Sequence, residues 1–308
     1  MIEFHRLDFG ERTEYNRLLM ACPQRSCEYS FANLFCWGLQ KLSIAENCAR
    51  LFSHFGGKSV YPFPIGPGDR RTAVEEILLD ADARGIPCRF VSLSPADVAE
   101  MESWFPEEFY FRPDRDGFDY VYDIHDLADL KGRKFQKKRN HLHRFQDAHP
   151  DARVEPLTGS LLEQGRHFTA QWFSTRKQED PHGNFLLEEV AMARAFRHFE
   201  ALSLEGIALT ENGRILALTV GSRLSPDTFD IHFEKADETV DGAYPAINQA
   251  FAAYLRERHP ELRFLNREDD MGLEGLRKAK LSYCPHHMEE KYWAYRKGEE
   301  FWEDSNDL

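Results

Sequence analysis

Hydrophobic positions along this chain fall into short runs whose spacing alternates between a period of two and a period near 3.6, the marks of strands and helices. Ile2 to Asp8 alternates like a short strand, and Arg12 to Met20 carries Tyr15, Leu18 and Leu19 on one helical face. A second helical pattern surrounds Phe31, Leu34, Phe35 and Leu39. Ala49 to Pro62 predicts a hairpin broken at Gly56-Gly57, and Pro64 to Gly68 is a loop. Thr72 to Arg84 predicts an amphipathic helix, Ile86 to Leu93 a strand, and Ser94-Pro95 the start of a helix with proline in its first position. Phe109 to Phe111 and Tyr120 to Ile124 predict further strands, and Leu130 to Gln146 a helix of different character. The order then begins again. Ala152 to Leu157 reads as a strand, helices surround His167 to Phe173 and Leu187 to Ala201, and Gly206 to Leu224 forms a hairpin turning at Glu211-Asn212-Gly213. Thr228 to Lys235, Leu262 to Leu265 and Met288 to Tyr295 are strands, with helices at Ala246 to Arg256 and Leu273 to Lys280.

The second half therefore reads β-α-α-β-β-β-α-β-α-β, and the first half follows a similar order. This predicts an α/β (α+β) protein of two tandem domains, each a mixed central sheet flanked by helices. The domains are expected at residues 1–128 and 129–308, the second beginning with the Leu130 helix. Strands crossing at the C-terminus would blur that boundary. A length of 308 residues suits two domains. The six cysteines lack Cys-x-x-Cys spacing and read as reduced thiols, which predicts a cytoplasmic protein. The N-terminus has no leader pattern, and no apolar stretch reaches the length of a membrane span.

Charge changes the picture locally. The chain carries 52 acids against 39 bases, a net charge of −13. Against that field stands Lys131-Gly-Arg-Lys-Phe-Gln-Lys-Lys-Arg-Asn-His-Leu-His-Arg144, which contains no acid. On a helix, Phe135, Leu142 and Phe145 would face a core and leave the cations outward, a surface suited to a polyphosphate or, alternatively, a solvated face paired with acids elsewhere. A second candidate follows the strand ending at Asn266: Glu268 and Asp270 sit at a strand end, and Arg277 and Lys280 on the next helix. A third is Asp230, His232 and Glu234. Strict alternation puts all three on one face, where they are candidates for the acid–base work of acyl transfer, together with Asp270, or are an exposed edge face. His141-x-His143 and His286-His287 lack metal-ligand spacing, so no metal is expected.

Three segments carry a family resemblance. Glu28 to Trp37, Leu130 to Asn140, and Asn266-Arg-Glu-Asp-Asp-Met-Gly-Leu-Glu-Gly-Leu-Arg-Lys-Ala-Lys-Leu-Ser-Tyr283 resemble an early aromatic helix, a basic inter-domain helix and a C-terminal signature. They are those of bacterial proteins sharing the C-terminal part of phosphatidylglycerol lysyltransferase. The resemblance implies a tandem fold of the general N-acetyltransferase (GNAT) type, similar to Fem-type peptidyltransferases. It also implies transfer of an aminoacyl group from transfer RNA to a lipid, peptide or small-molecule acceptor. The resemblance implies a binding role for Lys137, Arg139, Arg277 and Lys280, and with the basic run and the strand-end segment the expected substrate-binding residues also include Lys134, Lys138, Asn140, Asn266 and Tyr283. The expected partners are transfer RNA and, peripherally, anionic lipid, with no tightly bound cofactor. Acyl-coenzyme A is the alternative donor, although Asp241 and Pro245 stand where a pyrophosphate loop would lie. A non-catalytic binding or regulatory module is the third reading.

Overall fold

The computed structural model describes residues 1–22, 26–55, 58–176 and 184–299. The expected break at Gly56-Gly57 lies outside the described residues. Two compact units divide the chain, one of Met1–Asp119 with Glu289–Leu308 and the other of Tyr120–Met288.

The first unit begins with β1 (His5–Arg6), α1 (Arg12–Met20) and α2 (Phe31–Trp37). It continues through β2 (Gln40–Ala45), β3 (Cys48–Phe55), β4 (Lys58–Pro62), α3 (Arg70–Arg84), β5 (Arg89–Leu93), α4 (Pro95–Trp104) and β6 (Phe109–Pro113). Local chemistry fixes the helix ends. Asp69 caps α3 by accepting from the Thr72 N–H, and Gly85 ends it in the left-handed region that glycine adopts without strain. Ser94 and Asp97 form a reciprocal capping box around Pro95 at the start of α4. Val74, Ile77 and Leu78 of α3 and Met101 of α4 then pack on Phe52, Tyr61, Phe63 and Phe90. The sequence reading missed β2. Glu46 and Asn47 both take positive φ and turn it into β3.

The second unit contains β7 (Asp119–Asp123), α5 (Ile124–Asp129), α6 (Gln136–Ala148), β8 (Arg153–Pro156), α7 (Gly159–Arg176), α8 (Asn184–Arg197), β9 (Glu205–Glu211), β10 (Arg214–Arg223), β11 (Thr228–Ala236), α9 (Ala243–Arg258), β12 (Phe264–Asn266), α10 (Glu274–Leu281) and β13 (His287–Glu289). The closing strand β14 (Tyr292–Arg296) belongs to the first unit. The two seven-stranded sheets run β1-β2-β3-β4-β5-β14-β6 and β13-β7-β12-β11-β10-β9-β8. Both are mixed, as expected, with β4 parallel to β5 in the first and β11 parallel to β12 in the second. The units divide at Asp119/Tyr120 rather than near residue 128, because β7 pairs with β12 of the second sheet. β14 pairs with β5 and β6, which returns the C-terminal strand to the first unit.

In the second unit Phe251, Ile247 and Leu255 of α9 pack on Phe229, Ile231, Tyr120 and Tyr122. The Asn212-Gly213 turn has positive φ at both residues and joins β9 to β10 with Glu211 opposite Arg214. The basic helix is shorter than its charge pattern predicts. Leu130 ends α5 in the left-handed region, Gly132 also takes positive φ, and α6 begins only at Gln136. Phe135 and Phe145 are buried, and Leu142 packs on the same core.

Candidate active site

Strands β11 and β12 pair in parallel over only three residues, the last pair being Asp230 with Asn266. β12 stops there, while β11 runs on to Ala236. The two strands therefore part, and among the described residues no strand lies beside the outer edge of β11 beyond Asp230. At the same level β11 bulges. Val220 lies opposite Phe233 and Gly221 opposite Ile231, so His232 is the extra residue.

The bulge overturns the expectation that Asp230, His232 and Glu234 share one face. Phe229 and Ile231 point to the α9 side, so Asp230 points the other way. After the extra residue the sense reverses. Glu234 accepts a 3.3 Å hydrogen bond from Asn248 of α9, and Lys235 instead pairs with Glu188 of α8 and lies over the Trp172 ring of α7. Glu234 thus sits on the α9 side.

On the opposite side His232 is nearly buried and held at both ring nitrogens. Its Nε2 is 2.8 Å from Ser222 Oγ. Its Nδ1 lies 3.3 Å from Asp230 Oδ2 and 3.4 Å from Glu268 Oε1. Glu268 reaches it from just beyond β12, in a turn where Glu268 takes a φ of +57° and its N–H donates to Asn266 Oδ1. Asn266 is therefore a turn-former. His232, Asp230 and one carboxylate oxygen of Glu268 also lie close enough to ligate a cation together.

On the α9 side Glu234 pairs with Arg267 at 3.0 Å. Arg267 lies over the rings of Tyr122 and Tyr283, and Lys138 of α6 stands 3.7 Å from the centre of the Tyr283 ring. Burial and the Arg267 charge push the Lys138 ammonium down to about 8, with Glu234 opposing them. Burial pushes the Tyr283 phenol well up.

Asp270, expected to be one of the catalytic groups, is instead a buried anchor. Its carboxylate takes two hydrogen bonds from Arg277, at 2.9 and 2.8 Å, one from Tyr120 at 2.5 Å and one from the Gly272 N–H at 2.9 Å. Burial alone would raise its pKa, but these donors outweigh it and bring the group to about 2. So acidic a group is a poor base near neutral pH.

The expected binding cations divide in the same way. Lys134 pairs with Asp126 and Lys131 with Asp129. Arg139 donates to the Leu130 and Gly132 carbonyls and to Gln136, whose amide in turn donates to Asn140. Arg277 is engaged by Asp270, and the Lys280 ammonium donates to the Arg267 and Asp269 carbonyls. Lys137 is exposed on α6, and Lys138 faces the Tyr283 cluster.

Sequence reasoning missed Ser222, Arg267 and Asn248, and placed Glu268 at the strand end without pairing it to His232. The available signal was Gly221, since a glycine inside a strand marks a bulge or a close backbone approach. Here a Cβ at Gly221 would stand 2.1 Å from the Asp230 carbonyl oxygen.

Residues 20–295 match the family described as phosphatidylglycerol lysyltransferase, C-terminal, and the chain belongs to that family. Its fold is shared with FemX, at 10% identity and a TM-score of 0.51. Among solved structures it is similar to a conserved protein of unknown function from Bacteroides thetaiotaomicron, at 36% identity and a TM-score of 0.91, covering 96% of this chain and 100% of that one. It shares its fold with L-PGS from Bacillus licheniformis, at 19% identity and a TM-score of 0.64, covering 87% of each chain. An uncharacterised protein of Mycoplasmoides gallisepticum is 30% identical over 175 residues, 56% of this chain. This chain spans about half (54%) of that curated relative's length. Among the described residues no helix is long and apolar enough to cross a membrane.

Proposed function

We propose that the protein transfers an aminoacyl group from aminoacyl-tRNA to an amine or hydroxyl acceptor, where β11 and β12 part. The observation that carries this reading is the bulged, strand-free edge of β11 beyond Asp230, with a carboxylate-held imidazole on one side and cations on the other. Backbone N–H groups along such an edge suit the oxygen of a reacting carbonyl. His232 takes the acceptor's proton, and Asp230 and Glu268 stabilise the charged ring. Lys137 and Lys138 approach the donor's phosphates from the α6 side. The family's name supports lysine as the group moved; the acceptor is a lipid, peptide or small molecule.

An acyl-coenzyme A donor is the second reading, and the packing at α9 disfavours it. A helix N-terminus is the usual seat of a pyrophosphate. At Gly242, which caps α9, a Cβ would stand 2.5 Å from the His141 carbonyl of α6, so that end is closed. Asp241 beside it is paired with Arg144 at 3.3 Å and adds a negative charge.

His232→Gln keeps much of the ring's volume and hydrogen bonding but is no base. It is expected to lower aminoacyl transfer by about 10² to 10⁴, the usual weight of a general base. A His232→Gln protein that is folded by circular dichroism and transfers at the wild-type rate contradicts this assignment.

A further inference from the structure

The contacts of His232 reach further than proton removal from an acceptor. Asp230 and Glu268 both face Nδ1, and ionised carboxylates only accept hydrogen bonds. That arrangement puts the ring proton on Nδ1 and leaves the Nε2 lone pair for the Ser222 hydroxyl, 2.8 Å away. A serine hydroxyl on Nε2 and a carboxylate on Nδ1 are the relations that activate a serine as a nucleophile on unrelated folds, where geometry rather than sequence order defines the set.

The fold builds this relation deliberately. Ser222 of β10 lies directly opposite Asp230 of β11, so the two side chains share a face. The extra residue at the bulge brings His232 to the same face. Gly221 permits it: a Cβ there would meet the Asp230 carbonyl oxygen at 2.1 Å and the Phe229 ring at 2.6 Å. Ser222, Asp230 and His232 are all nearly buried, and Glu268, about one-fifth exposed, is the most open member of the group.

We infer that Ser222 is a nucleophile and that acyl transfer passes through an acyl-Ser222 intermediate. The inference rests on the acyl-transfer reading given above. Ser222 Oγ attacks the carbonyl carbon of the donor ester while its proton moves to His232 Nε2. The bond from that carbon to the donor's ribose oxygen then breaks, and the oxygen leaves with the proton from Nε2. In the second half the acceptor's nitrogen or oxygen attacks the acyl-serine and gives its proton to Nε2. The bond to Ser222 Oγ breaks, and Oγ recovers that proton. No oxidant, metal or further reactant enters.

The test uses the full chain with p-nitrophenyl acetate, an ester that needs no transfer RNA. Expected is a burst of p-nitrophenolate approaching one equivalent of protein, with acetyl mapped to Ser222 by peptide mass spectrometry. The burst should vanish in Ser222→Ala, and the adduct should return as a hydroxylamine-labile thioester in Ser222→Cys. Thermal melts of both variants separate loss of chemistry from loss of fold. Wild-type protein that transfers from aminoacyl-tRNA or acyl-coenzyme A but never carries acyl on Ser222 overturns the intermediate and leaves the transfer reading standing. Acylation of Ser222 without transfer from either donor supports the nucleophile and sinks the transferase reading. Protein that neither acylates nor transfers overturns both.

Discussion

Asp270→Asn should weaken the second unit by an amount the structure sets. The carboxylate is fully buried, receives two hydrogen bonds from Arg277 and one each from Tyr120 and Gly272, and is held at about 2 against an ordinary 3.8. Burial works against the charge, and the four donors overcome it. A shift of roughly two units at 1.36 kcal/mol each gives about 2.5 kcal/mol of charge-dependent stability at neutral pH. The amide of Asn keeps the shape, loses the charge, and turns a donor toward Arg277. For a unit of this size the loss corresponds to a fall of roughly 5–10 °C in melting temperature. The sign with pH follows from the lowered value. The contribution is complete above the unfolded-state pKa near 4 and is lost as pH falls through about 2. Urea unfolding of both proteins from pH 7 to pH 3 should show the deficit intact at pH 7 and 5 and shrinking below about 4. Equal stability at pH 7, or a deficit that persists undiminished in acid, would refute the reasoning.

Four further expectations concern α6 and its neighbours. Transfer RNA binding to the wild type should weaken as pH rises through about 8, where the Lys138 ammonium loses its proton, and Lys138→Met should bind more weakly with a flat profile between pH 7 and 9. Lys137→Ala with Lys138→Ala should leave the melting temperature nearly unchanged while reducing transfer RNA affinity and the steepness of its salt dependence. Arg139→Ala should instead cost about 1–2 kcal/mol in urea unfolding, because Arg139 holds the Leu130 and Gly132 carbonyls; a neutral result would remove it from that role. Gly242→Ala should destabilise by at least about 2 kcal/mol, combining a left-handed φ of +81° with contact against the His141 carbonyl.

What the sequence discloses here is local. The Asn212-Gly213 turn, the Ser94-Pro95 helix start and the α9 face of Ile247, Phe251 and Leu255 are each written in a few adjacent residues, and each stands in the structure. So is the restart of strand and helix order that marks two sheets. The misses come from pairing between distant residues. β2 was hidden because Gln40 to Ala45 has little alternation of its own and is specified by pairing to β3. The split of Glu234 from Asp230 depends on where β10 meets β11, and a bulge leaves no period in the sequence. Arg139, Arg277 and Lys280 looked like ligand cations because their partners are backbone carbonyls and a carboxylate brought in by turns. Ser222 is an unremarkable strand serine until His232 lies against it.

The central claim is tested most directly by donor identity. Purified protein would be given transfer RNA charged with radiolabelled lysine and, separately, radiolabelled acetyl-coenzyme A, each with anionic-lipid vesicles, a peptide mixture and small amines as acceptors. The account predicts label moving from lysyl-tRNA to one of these acceptors, loss of that movement in His232→Gln, and no movement from acetyl-coenzyme A. Label moving from acetyl-coenzyme A alone, or from neither donor while the protein binds both acceptor and transfer RNA, would contradict it.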